Sequence, residues 1–474
     1  MQKLWGTAVS AGWRTGTRCA SLAAMRWLAA VLCVLLAPGA GAGACAAETG
    51  AYARAIAAGY KASLLCEGLF TEGRRQADVE ALELSGIYPE YDAIVPTLPA
   101  EVDGARRRVS VAFDAGLPPR IAQWRPRLGC STAPIGAAAF DPPRLDRAVP
   151  DLDARAWPMG DAGALAAPRG DAGGLARAVE AAFAVTGPRT TAVIVVQDGR
   201  IVTERYAYGF GPHTPERTFS VAKSMTATLV GLGVERGLVR VEERAGLPEW
   251  ARAGDPRAAI TIDQLLRMAS GLHSGQAGNR TDAIYFGGAT VAEDAGRWPL
   301  EAAPGTRFRY ANDDFLLAAR ALGLRVGAGW RAFPFAALFE PLGMTRTSVE
   351  TDPAGDFILS SSVFTTARDL ARFGMLYERD GIWQGRRLLP VGWRGYATRM
   401  SGPQPERDGY GGGFWRFGLD KGLPADAFAA EGNRGQYAVI VPGRHVVIVR
   451  RGEDPDGKPF DVVPLVAGVL AALK

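Results

Sequence analysis

Lysine is scarce in this chain. Six of its 54 basic residues are lysine, and Lys223 is the only one between Lys61 and Lys421. Histidine and asparagine number three each. The histidines, His213, His273 and His445, form no H-x-x-x-H or H-E-x-x-H pattern and join no cysteine cluster, so a catalytic zinc site is not expected. No G-x-S-x-G elbow occurs, which sets aside an α/β-hydrolase triad. Membrane-spanning helices need about 20 apolar residues. The N-terminal apolar run, 27–37, has 11. The formal charge of +5 misleads, because residues 1–45 hold four basic residues and no acidic one. Without them the chain has 50 basic against 49 acidic residues, and no basic run that would grip phosphates. Nucleic acid is therefore not expected as a partner.

What the N-terminus does contain reads as an export signal over residues 1–45, with Arg26 before the apolar run and a small-residue tract after Pro38. Met1 and Met25 are both candidate starts. Cys45 follows Ala-Gly-Ala and loosely resembles a bacterial lipoprotein site, which makes it a candidate lipid anchor. A periplasmic or secreted location follows as an expectation. Three cysteines can remain after cleavage, and an oxidising compartment favours a Cys66–Cys130 disulfide over two buried thiols.

The composition, 48% hydrophobic and 22% charged, is that of a folded globular chain. Residues 46–140 form a first region, with helical spacing over 51–70 and strand-like alternation over 109–113. It carries no catalytic constellation. Residues 141–172, rich in Pro, Asp, Gly and Ala, read as a linker or wrapping loop. The second region, 173–474, opens on a short helix. The stretches 191–197 and 200–206 then flank Asp198 and Gly199 as a hairpin. Residues 240–350 are expected to be mostly helical with long loops. A second hairpin, 436–441 with 445–450, and a helix over 462–473 close the chain. Strands at both ends with helices between predict an α+β fold, an antiparallel sheet flanked by helices with a helical insertion.

Lys223 lies three residues after Ser220, at the start of a long apolar stretch. Three residues is nearly one helical turn, so amine and hydroxyl share a face. An amine can activate serine without histidine. Arginine could not, because it never gives up its proton. Tyr310 and Asn312 form a second element. A tyrosine near a positive charge loses its proton more easily and can relay protons to a leaving group. Asn312 offers an amide to orient substrate or Lys223. The third element, 431–436, reads Glu-Gly-Asn-Arg-Gly-Gln. A glycine-flanked strand edge lets substrate lie against the backbone, and its amides can donate to an oxyanion. Taken singly, each element has a plainer account. Ser220 would cap a helix, Tyr310 would be core, Gly432 and Gly435 would be turn residues, and Arg434 would be a solvated surface arginine.

In this order, S-x-x-K, Y-x-N and G-x-x-G-Q resemble the serine hydrolases of the class C β-lactamase and DD-peptidase superfamily. They resemble in particular the branch of 6-aminohexanoate-dimer hydrolases and related esterases. The text of 265–272, 366–377 and 410–415 adds to the resemblance, which covers about 175–474. It implies a β-lactamase/transpeptidase-like fold, Ser220 as nucleophile, and Lys223 with Tyr310 as general base and proton relay. It also implies an oxyanion hole from the backbone N–H groups of Ser220 and Gln436, and no metal or organic cofactor. The chain departs from the pattern at Asn433, Arg434 and Gly435, where the superfamily carries Lys or His, then Thr or Ser, then Gly. Without the first cation, and with Arg434 expected on the far face of a strand, the reading leans toward a small amide or ester substrate. A DD-peptidase or transesterase acting on cell-wall peptides or β-lactams is the rival within enzymes. A catalytically silent binding lipoprotein of the same fold is the rival outside them.

Overall fold

The computed structural model describes residues 40–274, 281–406 and 408–474. The export segment read in residues 1–45 lies almost wholly outside them, as does the side chain of Cys45.

The first region packs a four-stranded sheet on a long helix. Helix α1 (Ala40–Phe70) buries Ile56, Leu64 and Leu65. Helix α2 (Gln76–Leu82) follows. Strands β1 (Ala100–Asp103), β2 (Arg108–Val111), β3 (Arg120–Arg125) and β4 (Gly129–Thr132) pair antiparallel in chain order. In β2 the expected alternation holds, with Val109 and Val111 buried between half-exposed neighbours. Cys66 of α1 and Cys130 of β4 form a disulfide, their Cα atoms 6.1 Å apart.

This region is pressed onto the second one. Arg120 donates to the Phe286 carbonyl (2.7 Å) and Tyr91 to Asp282 (2.5 Å). A side chain on Gly59 would collide with the Phe286 carbonyl, its Cβ falling 2.0 Å from that oxygen, so α1 approaches as closely as backbone allows. Beneath the disulfide, Glu67 accepts the Cys130 N–H and shares a hydrogen bond with buried Glu350. Burial raises both carboxyls above their ordinary range, and the charge of Glu350 raises Glu67 further. A carboxyl raised by folding binds its proton more tightly when folded. Its contribution to stability is therefore complete below the ordinary value of 4.5 and is lost as pH climbs through the raised one. We expect the melting temperature to fall from pH 5 toward pH 9. Glu67→Gln, a neutral mimic able to keep both hydrogen bonds, should reduce that fall by a few degrees. Equal slopes for the two proteins would show that the pair is not protonated.

The second region centres on a seven-stranded antiparallel sheet. Helix α3 (Ala172–Ala184) leads into β5 (Thr190–Gln197) and β6 (Arg200–Tyr206), the expected hairpin. Its turn residues Asp198 and Gly199 have φ of 51° and 77°, left-handed values that Asp tolerates and Gly prefers. After β7 (Glu216–Arg217) comes helix α4 (Val221–Glu235), then helix α5 (Asn312–Val326), β8 (Ser348–Val349), β9 (Val363–Thr365) and helix α6 (Ala367–Glu378). Strands β10 (Gly409–Tyr410), β11 (Trp415–Arg416), β12 (Phe428–Gly432), β13 (Gln436–Val441) and β14 (Val446–Gly452) complete the sheet in the order β10-β11-β12-β13-β14-β5-β6. Helix α7 (Val462–Ala472) closes the chain.

Period-two alternation divides the sheet's faces. Val193 and Val195 of β5 pack with Leu465, Val466 and Val469 of α7, whereas Ile194 and Val196 face the larger core with Met225 of α4 and Phe373 of α6. Helix α4 is buried all round from Val221 to Gly233, its polar side chains Lys223, Ser224, Thr226 and Thr228 each hydrogen-bonded inside. Residues 240–350 are less helical than expected. Only α5 is long, and elsewhere short elements such as Ile262–Leu266, opened by a Thr261–Gln264 capping box, alternate with turns. Gly, Pro and Asp interrupt the apolar spacing every few residues there. Residues 141–171 hold no helix or strand, but they do not hang free. Leu165 bridges to Ile201, and buried Trp157 donates to the Gly199 carbonyl (2.8 Å). Among the described residues no helix is long and apolar enough to cross a membrane.

Candidate active site

Ser220 stands where β7 turns into α4. Pairing of β7 with β9, extended by the Thr218 N–H on the Val363 carbonyl (2.8 Å), fixes the chain before the turn. Phe219 then takes a left-handed φ of 48°, a cost that a bulky residue accepts only where its surroundings dictate it. The turn delivers Ser220 to the N-cap of α4, yet its hydroxyl caps nothing. The N–H groups of Val221, Ala222 and Lys223 bond back to the carbonyls of Thr218, Phe219 and Ser220 (3.3, 3.0 and 3.0 Å), and the aligned peptide dipoles of α4 leave a partial positive charge at this end.

Lys223 is 1% exposed. Its Nζ lies 2.9 Å from Ser220 Oγ, 2.6 Å from Asn312 Oδ1 and 2.8 Å from the Ser360 carbonyl. Burial lowers its affinity for the proton far below the ordinary 10.5, and the charge of Asp313 offsets only part of that. Asp313 follows Asn312 at the start of α5, with neither carboxyl oxygen hydrogen-bonded among the described residues. Burial raises it well above the usual carboxylate range. Held more tightly to its proton in this way, Asp313 supplies less of the counter-charge that would keep Lys223 an ammonium.

Tyr310 precedes α5. Its ring is 5.1 Å from Lys223 Nζ, stacks on Trp415 at 5.6 Å and meets Tyr410 edge-on at 6.1 Å. Its phenol hydrogen-bonds with Ser220, which favours the phenolate, but burial outweighs this and raises its pKa. Ser220, Lys223, Tyr310 and Asn312 are therefore brought together as expected, from α4, α5 and the turn before α5.

The third element differs from its sequence reading. Asn433, Arg434 and Gly435 are not on a strand edge; they form the turn joining β12 to β13. The glycine that borders the nucleophile is Gly432. A Cβ there would fall 2.2 Å from the Thr218 carbonyl and 3.1 Å from the Ser220 nitrogen. Gln436 is the cross-strand partner of Gly432. Its side chain accepts from Arg451 (2.6 Å), which also holds the carbonyls of Thr365, Glu216 and Arg217. Gln436 thus braces β7 and β9 behind the site. Arg434 is neither solvated nor facing the site, because it is buried on Glu453 (2.9 Å) and the Leu82 carbonyl (2.6 Å). Gly435, at φ 83°, leaves room for buried Arg450, which donates to its carbonyl (2.9 Å).

Other neighbours carried no recognisable pattern. The cleft at Ser220, ≈ 30 Å³, is also lined by Arg217, Asp282, Tyr285 and Asn433, and by Tyr60 and Tyr88 of the first region. Arg217 donates to Ser361 Oγ (3.1 Å) and lies 4.8 Å from the Phe219 ring. Among the described residues no group of three or more His, Cys, Asp or Glu converges as a metal would require.

The beta-lactamase family model matches residues 175–459, more than half of the chain. The chain belongs to that family. It is 26% identical over 230 residues to the 6-aminohexanoate-dimer hydrolase of Paenarthrobacter ureafaciens, a match covering 43% of this chain and 56% of that protein. The chain thus spans little more than half of that relative's length. In structure it is similar to a penicillin-binding protein homologue from Caulobacter crescentus (TM-score 0.52, 20% identity, 64% of this chain and 97% of that one). It is also similar to a family VIII carboxylesterase (TM-score 0.53, 16% identity, 64% and 97%). The fold is that of β-lactamases, mixed helices and antiparallel sheet as the sequence predicts.

Proposed function

We propose that this protein is an exported serine hydrolase that cleaves a small amide or ester through an acyl-Ser220 intermediate. The observation that carries the reading is the trio of partners around Lys223 Nζ. Two of them, Asn312 Oδ1 and the Ser360 carbonyl, can only accept hydrogen bonds. A neutral amine has two N–H groups and one lone pair. With both N–H groups committed, the lone pair is left for the third partner, the Ser220 hydroxyl at 2.9 Å.

Lys223 then takes the Ser220 proton as Oγ attacks the carbonyl carbon. Tyr310, a protonated phenol beside both groups, passes a proton to the leaving oxygen or nitrogen. The developing oxyanion is held by the Ser220 N–H and by the Asn433 N–H, the amide that follows Gly432, in place of the Gln436 donor expected from sequence. Water, activated by the same pair, releases the acyl group. Arg434, tied to Glu453, is not available to hold a carboxylate at this edge. That supports small amides and esters over β-lactams and cell-wall peptides.

A fluorophosphonate should add once to the purified protein by intact mass, and Ser220→Ala should abolish the adduct. The variant should also lower p-nitrophenyl ester turnover by about 10³-fold or more. Because the hydroxyl makes no cap bond, its stability should stay within about 1 kcal/mol of the wild type. Turnover persisting in a folded Ser220→Ala protein would overturn the assignment.

A further inference from the structure

Two cavities near Ser220 share walls. The first, the ≈ 30 Å³ cleft, includes the nucleophile. The second, ≈ 10 Å³, is lined by Gly86, Ile87, Arg434 and Asp456 and does not include it. Both are lined by Tyr60, Tyr88, Phe219 and Asn433. Two of these shared walls, Tyr60 and Tyr88, come from the first region, outside the segment that matches the family.

The rings are fixed. Tyr60 is buried, with its centroid 4.7 Å from Phe286 and 6.4 Å from Tyr88 in an edge-on contact. Tyr88 meets Tyr91 edge-on as well, and Asn433 Nδ2 donates to its hydroxyl at 3.2 Å. That hydrogen bond ties the first region to the turn that follows Gly432. A leaving alcohol or amine must depart before water attacks, whereas the acyl half stays on Ser220. A walled cavity therefore suits the acyl half.

We infer that Tyr60 and Tyr88 are specificity-determining residues that partition these cavities and restrict the hydrolase to substrates with short acyl groups. The inference rests on the serine-hydrolase reading above. The second cavity is too small for an acyl chain while the rings are in place, but removing the ring of Tyr88 would join it to the cleft and make room for a longer one. A pocket wall that excludes a few methylenes discriminates by about 10–200-fold.

The test is the ratio of kcat/KM for p-nitrophenyl hexanoate to that for p-nitrophenyl acetate, with fluorophosphonate labelling of Ser220 followed in each protein. The wild type should prefer acetate. Tyr88→Ala should raise the hexanoate-to-acetate ratio about tenfold or more. Tyr88→Phe, which keeps the ring and loses the Asn433 hydrogen bond, should move the ratio far less. If Tyr88→Ala does not fold by its melting curve, Tyr88→Leu serves, with the same direction expected. A wild type indifferent to chain length, or a folded and labelled Tyr88→Ala whose ratio is unchanged, would overturn the partition while leaving the serine-hydrolase reading intact. A wild type that neither labels nor turns over any ester would overturn that reading, and this inference with it.

Discussion

Lys223→Arg is expected to lower kcat/KM for esters by about 10³-fold or more, within the range that a positioned general base contributes. The reason lies in what burial does to each side chain. Around Lys223 the protein supplies two acceptors and one hydroxyl, and no carboxylate forms an ion pair with it among the described residues. An ammonium there is poorly compensated, so the amine gives up its proton far below 10.5. Arginine keeps its charge under the same pressure, because its guanidinium is never deprotonated in proteins. It would also hold Ser220 by donating to the oxygen that must lose its proton. Lys223→Met removes the base without adding bulk or charge, and should be equally inactive while still folding. In the wild type, the acidic limb of the kcat/KM profile should lie well below pH 10.5, since activity requires the neutral amine. A fully active Lys223→Arg enzyme would mean that the lysine serves only as a positive charge, and the lone-pair argument would fall.

How much of this site was legible depends on how far apart its residues lie in sequence. Ser220 and Lys223 share one helical turn, so their spacing alone placed them together. The contact between Lys223 and Asn312 crosses 89 positions. It was readable only because tyrosine and asparagine at that spacing form a motif in the resembled family. The Ser360 carbonyl is backbone and has no sequence signature at all. Asp313 adjoins a recognised residue, but its importance lies in its burial, which a sequence does not display.

The error at 431–436 is one of register. The segment was read as strand throughout, yet Asn433, Arg434 and Gly435 make the turn, with Arg434 at φ 55° and Gly435 at 83°. Asn-x-Gly between two apolar runs is turn chemistry and held the correct answer. Moving the turn shifts the nucleophile's neighbour from Gln436 to Gly432. The two sheet hairpins were legible for the same kind of reason, through Asp198 with Gly199 and Pro442 with Gly443. Tyr60 and Tyr88 were not, because tyrosines without a pattern more than 130 residues before the nucleophile read as core. What gives them a role is the docking of the first region, a tertiary fact.

Reducing the Cys66–Cys130 bridge should lower the stability of the first region by about 4 kcal/mol on the chain-entropy model, since the bond closes a loop of 64 residues. The loss should also reach the active site. Tyr60 lies on α1 six residues before Cys66, and Tyr88 lies inside the closed loop. Cys130 presents its N–H to Glu67, whose partner Glu350 belongs to the second region, so the bridge also holds one side of that docking contact. Calorimetry with and without reductant, alongside a Cys66→Ser/Cys130→Ser variant, measures the first effect as a lower melting temperature. The hexanoate-to-acetate ratio measures the second. A loosened wall should raise that ratio, as Tyr88→Ala does, while labelling of Ser220 persists, because the residues that activate it all lie in the second region. An unchanged melting temperature would show that packing of α1 on its sheet suffices without the bond. A lower melting temperature with an unchanged ratio would confine the role of the bridge to stability and leave the positions of the two tyrosines to Phe286 and Asn433.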